Sequence, residues 1–128
     1  MSTRSVAGRV LSGLAILFLL FDSVIKLLVL APVTESFTRF GFVGSPAFGI
    51  GLLELLCTLA YALPRSARAG AVLLTGFLGG AIATHLRLAD PWLSHTLFPL
   101  YVGALLWSGL LLRDRDLRRL LLQRPAAA

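Results

Sequence analysis

Apolar segments long enough to cross a membrane alternate with short polar connectors along this chain. The first segment, residues 10–31, is interrupted only by the polar side chains Ser12, Asp22, Ser23 and Lys26. At about 1.5 Å of rise per residue, a helix of this length spans a hydrocarbon core of about 30 Å. The pattern therefore predicts a transmembrane helix at residues 10–31.

Three further segments follow the same pattern. Pro46 and Pro64 bracket an apolar segment whose only charged residue is Glu54, and proline suits the first turn of a helix but not its interior. A turn containing Arg65 and Arg68 leads to the third segment. The sequence thus predicts an all-α fold in a single domain, 1–128: a four-helix transmembrane bundle with spans at residues 10–31, 47–63, 69–86 and 96–112.

The connector between the first two spans carries its own helical pattern. Val33, Phe37 and Phe40 recur at i, i+4 and i+7, and Thr34 is a residue type that caps helices. This spacing predicts a short amphipathic helix that lies at the membrane interface.

Composition favours lipid over water as the main solvent. Of the 128 residues, 57% are hydrophobic and 14% are charged, which is far from the balance of soluble domains. The net charge of +6 comes from arginines that flank apolar segments, without the basic face and stacking aromatics of a nucleic-acid groove, so no nucleic-acid partner is expected. The single cysteine, Cys57, permits no internal disulfide and no CxxC pair.

The distribution of arginine predicts the orientation of the spans. Most of the positive charge lies before the first span, between the second and third spans, and in the basic tail at residues 113–128. The arginines of these regions are Arg4, Arg9, Arg65, Arg68, Arg113, Arg115, Arg118, Arg119 and Arg124. By the positive-inside rule, both termini are cytoplasmic and the protein is a multi-pass protein of the inner (plasma) membrane. Leucines alternating with arginines at residues 117–122 place the tail on the membrane surface.

A secretory signal peptide is the rival interpretation of the N-terminus. Arg4 and Arg9 precede the first apolar segment, as the basic region of a signal peptide would. The segment is too long for one, and no small-x-small cleavage site precedes Pro32. A first transmembrane span is therefore favoured.

Polar side chains from several spans fall in the outer half of the bundle. Asp22 and Lys26 lie one helical turn apart, and Glu54 shares a helix face with Thr58. A charge near the bilayer centre costs at least about 2.5–3.5 kcal/mol, so these charged groups should face inward and pair. The sequence predicts a buried network of Asp22, Lys26 and Glu54. His85 and His95 are expected nearer the outer mouth.

Structural interpretations compete with functional ones at these positions. A buried charge network can serve only to fix helix packing. His85 and His95 lie across a connector without a clear further ligand, so they are favoured as interface histidines over ligands of a metal or haem, and no metal site is predicted. The small residues Gly76, Gly80 and Ala83 predict helix packing, within the bundle or between protomers.

Several sequence strings together resemble the DoxX-like family of bacterial membrane proteins, over nearly the whole chain. They are Asp22-Ser-Val-Ile-Lys26, Gly51-Leu-Leu-Glu54, Ala62-Leu63-Pro64-Arg65, Gly70-Ala-Val-Leu-Leu-Thr75-Gly76, Gly79-Gly80-Ala81, Ala83-Thr84-His85 and Ser94-His95-Thr96-Leu97-Phe98-Pro99. The resemblance implies a four-helix membrane bundle. It also implies a link to redox membrane complexes, since the family name derives from a subunit of a thiosulfate:quinone oxidoreductase. It supplies no catalytic residues, and nothing in the sequence points to an enzyme acting by itself.

Three functions fit these observations. The first is an accessory or ligand-binding membrane subunit, in which the polar cluster holds a quinone-type headgroup and no other cofactor is evident. The second is a proton-coupled small-molecule carrier that works as an oligomer, because four spans leave little room for inverted repeats. The third is a structural partner of another membrane protein or of a second copy of the chain, in contact with the lipid bilayer and docked through Gly76 and Gly80.

Overall fold

The computed structural model describes residues 2–123, so Arg124 and the other residues at 124–128 of the predicted tail lie outside the described residues. Within residues 2–123 the protein is all α, which confirms the predicted class, and contains no strand. The helices are α1 (Thr3–Leu27), α2 (Ala31–Arg39), α3 (Ala47–Ala62), α4 (Ala67–Arg87), α5 (Phe98–Arg113), which follows a π-helical turn at Trp92–Thr96, and α6 (Arg115–Leu122).

Three helical stretches of the described chain are long and apolar enough to cross a membrane. They are Thr3–Leu27, Ala67–Arg87 and Trp92–Arg113. Helix α3 is apolar but has 16 residues, which corresponds to a length of about 24 Å against a hydrocarbon core of about 30 Å. The four-span bundle therefore stays a prediction at α3.

Helix α1 begins earlier and ends earlier than the predicted segment 10–31. It begins at Thr3 because the hydroxyl of Ser2 accepts a hydrogen bond from the backbone N–H of Ser5 at 3.3 Å and so caps the first turn. It ends at Leu27, because Val29 adopts a positive φ of 51°, which no helix can contain. The apolar residues that follow belong to the turn into α2.

The predicted short helix between the first two long helices is present as α2. Its stripe of Val33, Phe37 and Phe40 is partly or fully buried, and Phe37 packs edge-to-face against Phe40 and Phe42. These side chains face the protein interior and line a cavity.

The four long helices form a ring. Helix α1 packs against α3 and α5, and α4 packs against the same two helices from the other side. Their buried core includes Ala15, Leu19, Tyr61, Leu74 and Leu106. The Tyr61 hydroxyl donates to the Leu106 carbonyl at 2.6 Å and lies 2.9 Å from the Ser12 Oγ. Tyr61 therefore joins α1, α3 and α5 at the middle of the bundle.

Glycine allows α1 to approach its two neighbours closely. A Cβ at Gly109 of α5 would lie 2.5 Å from the Ser12 Oγ, and a Cβ at Gly51 of α3 would lie 2.7 Å from the Lys26 Cβ. Neither contact leaves room for a larger residue. Gly70 at the start of α4 is packed as closely, since a Cβ there would overlap the Tyr61 backbone nitrogen, whereas Gly76 and Gly80 of α4 are not close-packing positions.

The small-residue stripe of α4 makes no helix contact within the described chain. A Cβ at Gly76 or Gly80 would meet nothing within 4 Å, and Ala83 is exposed. Gly76 and Gly80 are therefore not close-packed within residues 2–123. The reason is that α4 turns Ala71, Leu74 and Leu78 toward its neighbours instead. Packing of the stripe between protomers stays a prediction.

Candidate ligand-binding site

The structure brings together three of the charged side chains singled out in the sequence. The Lys26 Nζ lies 2.5 Å from the Asp22 Oδ2 and 2.7 Å from the Glu54 Oε2. The side chains of Lys26, Asp22 and Glu54 are 15%, 29% and 0% exposed. We call these three residues the ion triad.

Local sequence explains why Lys26 reaches across to α3. Asp22 and Lys26 lie on one face of α1 because residues four apart are neighbours on a helix. Gly51 lies almost one turn before Glu54, and its missing side chain lets α3 approach the Lys26 Cβ. The lysine ammonium therefore meets both carboxylates from the space between the two helices, and it also lies 5.4 Å from the centre of the Phe77 ring.

One buried oxygen of the ion triad has no partner among residues 2–123. The Glu54 Oε1 is buried and accepts no hydrogen bond from any of residues 2–123. A buried acceptor without a donor costs roughly 1–3 kcal/mol, and more when the group is charged. Such an atom in a functional site indicates a position where a ligand donor or a water binds.

A cavity of about 650 Å³ adjoins the ion triad. Asp22, Lys26, Glu54 and His85 provide polar groups in its wall. The apolar part of the wall includes Phe18, Phe37, Phe77, Phe98 and Val102. A largely apolar concave site with a few convergent polar groups is typical of the sites that bind small amphipathic molecules.

Helix α2 is tied over this cavity by polar contacts to the connector between α4 and α5. Arg39 forms an ion pair with Asp90, and the Arg87 Nη2 donates to the Phe40 carbonyl at 3.0 Å. The other Asp90 oxygen lies 2.6 Å from the His85 Nδ1. The hydrogen bond with His85 and the positive charge of Arg39 lower the pKa of the Asp90 carboxyl. Asp90 thus remains ionised and holds α2 and α4 together.

The structure separates the remaining predicted residues from the ion triad. The Thr58 hydroxyl is buried and donates to the Glu54 carbonyl of its own helix at 2.8 Å, outside the cavity wall. His95 is exposed and lies beside His85, with ring centres 6.0 Å apart, but it does not line the cavity. Its Nδ1 lies 2.8 Å from the Ser94 Oγ. Of the two histidines, only His85 therefore belongs to the site.

Sequence reasoning missed the role of Asp90 and Arg39. Arg39 and Asp90 lie in different connectors between the predicted spans, and no spacing rule relates residues 51 positions apart. The aromatic wall was visible in part, because Phe37 and Phe40 follow the stripe of α2. Within residues 2–123, no three His, Cys, Asp or Glu side chains come together as a metal site would require.

These features define a class of protein. Its long helices expose large apolar side chains on their outer faces, such as Leu17, Phe21, Leu56 and Val72, while charged groups are paired between the helices. Such apolar outer faces are unfavourable in water and are solvated by lipid. The chain is therefore an all-α integral membrane protein.

The chain belongs to the DoxX-like family, whose family model matches residues 10–109. This match confirms the resemblance found in the sequence. No curated protein and no solved structure matches the chain significantly.

Proposed function

We propose that the protein is an accessory membrane subunit whose cavity binds a small amphipathic molecule with a hydroxyl-bearing ring, of which a quinol is the simplest example. The observation that carries this proposal is the unpartnered Glu54 Oε1 beside Lys26 in the cavity wall. The proposal deepens the redox link implied by the family, because a quinol is the reduced form of a membrane electron carrier.

The polar groups of the site fit the two ends of such a headgroup. A ring hydroxyl would donate to the Glu54 Oε1, which needs a donor. Lys26 has three N–H donors and uses two on the carboxylates, so one remains for a ring oxygen. Phe18 and Phe77 in the wall would contact the ring face or edge, as aromatic groups prefer.

The proposed setting is a four-span bundle in the inner membrane with cytoplasmic termini. Arginine lies at the start of α1, in the turn between α3 and α4, and after α5, so the positive-inside rule places that end in the cytoplasm. The cavity then lies in the outer half of the bundle. Helix α3 would then also span the membrane. Its shorter length would be matched by local thinning of the bilayer or by flanking side chains that extend to the interface.

Binding is favoured over proton-coupled transport by the middle of the bundle. Tyr61, Leu106 and Thr58 are fully buried between the ion triad and the arginine-rich end, and the Tyr61 hydroxyl is hydrogen-bonded there. A carrier needs a route from the site to both membrane faces. The expectation for a carrier is pH-dependent flux in proteoliposomes, which Glu54→Gln would abolish.

Binding of a short-tailed ubiquinol to the purified protein in detergent tests the proposal. Glu54→Gln turns a carboxylate acceptor into an amide and should weaken binding roughly ten- to hundred-fold, since a hydrogen bond to a charged group contributes about 1.5–3 kcal/mol. Glu35→Gln is the matched control, because Glu35 is an exposed acid of α2 outside the cavity wall.

The outcomes separate clearly. Weaker binding by Glu54→Gln together with unchanged binding by Glu35→Gln supports the site. Equal affinity of wild type and Glu54→Gln overturns it, as does an equal loss in both variants. A short-tailed ubiquinone run in parallel tests the hydroxyl, because the oxidised ring has no donor for the Glu54 Oε1.

A further inference from the structure

A second cavity lies at the opposite end of the helices, where the start of α1 meets the end of α5 and α6. Its volume is about 530 Å³. Five arginines line it: Arg4, Arg113, Arg115, Arg118 and Arg119. The remaining wall is formed by Ser2, Ser5 and Leu112. This basic cavity is separate from the proposed quinol site and takes no part in it.

No carboxylate of residues 2–123 lines this wall. Asp114 and Asp116 adjoin the lining arginines in sequence, and Asp116 forms no ion pair within residues 2–123. Asp114 is bound by the Arg68 guanidinium at 2.7 and 2.9 Å and accepts from the Leu117 N–H at 2.9 Å. The hydrogen bond from Arg68 is the main reason that the pKa of Asp114 falls to about 2. Asp114 therefore pairs with Arg68 and caps the first turn of α6, and it is not part of the cavity wall.

Two of the five arginines have contacts that hold the wall in place. The Arg118 Nη1 donates to the carbonyls of Leu111 and Leu112 at 3.0 and 3.2 Å, which fixes α6 against the end of α5. The Arg113 Nη2 donates to the Tyr61 carbonyl at 3.2 Å. These bonds use carbonyl oxygens, and no acidic side chain of residues 2–123 lies within ion-pair distance of Arg113 or Arg118.

The other three arginines are available to a ligand. Among residues 2–123, no acidic side chain lies within ion-pair distance of Arg4, Arg115 or Arg119. Like charges gathered in one concavity repel each other, and a bound anion offsets that repulsion. The planar guanidinium matches the oxygens of a phosphate group in a two-point contact.

We infer that the basic cavity binds a phosphate ester anion. The neighbouring α6 exposes Leu120, Leu121 and Leu122, which suits a helix that lies on a membrane surface. That position places the arginines at the level of lipid headgroups, where basic pockets recognise anionic lipids. The headgroup of an anionic phospholipid, which is a phosphodiester, and a soluble phosphomonoester both present negatively charged phosphate oxygens to these arginines.

Three probes added to the full chain in neutral detergent distinguish the sources. They are short-chain phosphatidylglycerol, short-chain phosphatidylcholine and glycerol 3-phosphate, with the bound molecules counted by native mass spectrometry and titrated for affinity. Wild-type protein should bind phosphatidylglycerol and not phosphatidylcholine. Added salt should weaken that binding, because the contacts are between charges near water.

A pair of double variants with equal net charge locates the site. Arg115→Gln with Arg119→Gln removes two cavity arginines and should weaken phosphatidylglycerol binding roughly ten- to thirty-fold. Arg9→Gln with Arg65→Gln removes two arginines from the same end that do not line the cavity, and should change the affinity by no more than about twofold. Arg115 and Arg119 are exposed, so the thermal unfolding of their variant should match that of wild type.

Each outcome decides a point. Stronger binding of phosphatidylglycerol than of glycerol 3-phosphate supports the site and assigns it to a lipid, and stronger binding of glycerol 3-phosphate supports the site and assigns it to a soluble phosphate ester. Binding of neither probe overturns the site. Equal weakening in the two double variants overturns the site, because it indicates that the anion is attracted by the overall positive charge of this end and not bound in the cavity. Equal binding of phosphatidylcholine by wild type overturns it without recourse to any variant.

Discussion

The two ends of the molecule hold their charges in opposite ways. At the end that holds the ion triad, Lys26 lies between two carboxylates, and one of them, Glu54, is fully buried. At the other end, five arginines line a cavity, and no carboxylate of residues 2–123 lines it with them. The difference shows that a charged side chain between apolar helices needs an oppositely charged partner within the chain, because it is removed from water. A charged side chain at the helix ends can instead be solvated by water or lipid headgroups.

The largest effect is expected from removing the shared cation of the ion triad. Lys26→Met should lower the free energy of unfolding by about 3–5 kcal/mol, because it leaves Glu54 buried beside Asp22 without a positive charge. Arg65→Met, at the other end, should change it by no more than about 0.5 kcal/mol, because Arg65 is exposed. Chemical unfolding in mixed micelles measures both.

A double variant sharpens the interpretation. Adding Glu54→Gln to Lys26→Met removes the uncompensated charge, so much of the lost stability should return. If Lys26→Met alone is as stable as wild type, the ion triad is not what holds α1 to α3, and the contrast between the two ends fails.

An intermediate effect is expected at the glycine beneath the ion triad. Gly51→Ala should cost about 1–3 kcal/mol, since the new Cβ would lie 2.7 Å from the Lys26 Cβ and 3.0 Å from the Ser23 carbonyl oxygen. Gly76→Ala is the matched control in α4, where a Cβ meets nothing within 4 Å, and should gain up to about 1 kcal/mol from helix propensity. The same unfolding assay compares them, and a stable Gly51→Ala would contradict the close approach.

The smallest effect is expected at the arginine-rich end, from the exposed pair of Arg68 and Asp114. Asp114→Asn should cost about 0–1 kcal/mol, because the Arg68 side chain is 51% exposed and solvent screens the pair. The folded pKa of Asp114 is about 2, below its ordinary value of 3.8, so its contribution is present above the ordinary value and is lost as the pH falls toward 2. Thermal unfolding followed over this acidic range should show a step that is absent in Asp114→Asn.

The sequence predicted the helices better than their ends. The apolar run at residues 10–31 indicated a helix, but hydropathy could not show that Ser2 caps it or that Val29 turns the chain out of it. Those details depend on one hydroxyl and one backbone angle, whereas hydropathy records only how a residue partitions between water and lipid.

The candidate site was predictable where spacing within a helix or the cost of burial decided the outcome. Asp22 and Lys26 follow from i, i+4 spacing, and Glu54 follows from the cost of an unpaired carboxylate in lipid. The contact of Asp90 with His85 and Arg39 was not predictable, because it depends on how two connectors fold over one another. The orientation of Gly76 and Gly80 was not predictable either, since small residues favour close contact without specifying the partner.

The close approach at Gly51 affects how tightly a ligand binds in the cavity. The stem of Lys26 lies against the backbone of α3, so the ammonium has little freedom to swing toward the membrane surface. Its conformational entropy is lost when the chain folds rather than when a ligand arrives. A ligand that enters the cavity would therefore meet a rigid, ready-made set of charges, and its affinity would not be reduced by the ordering of a long, flexible side chain.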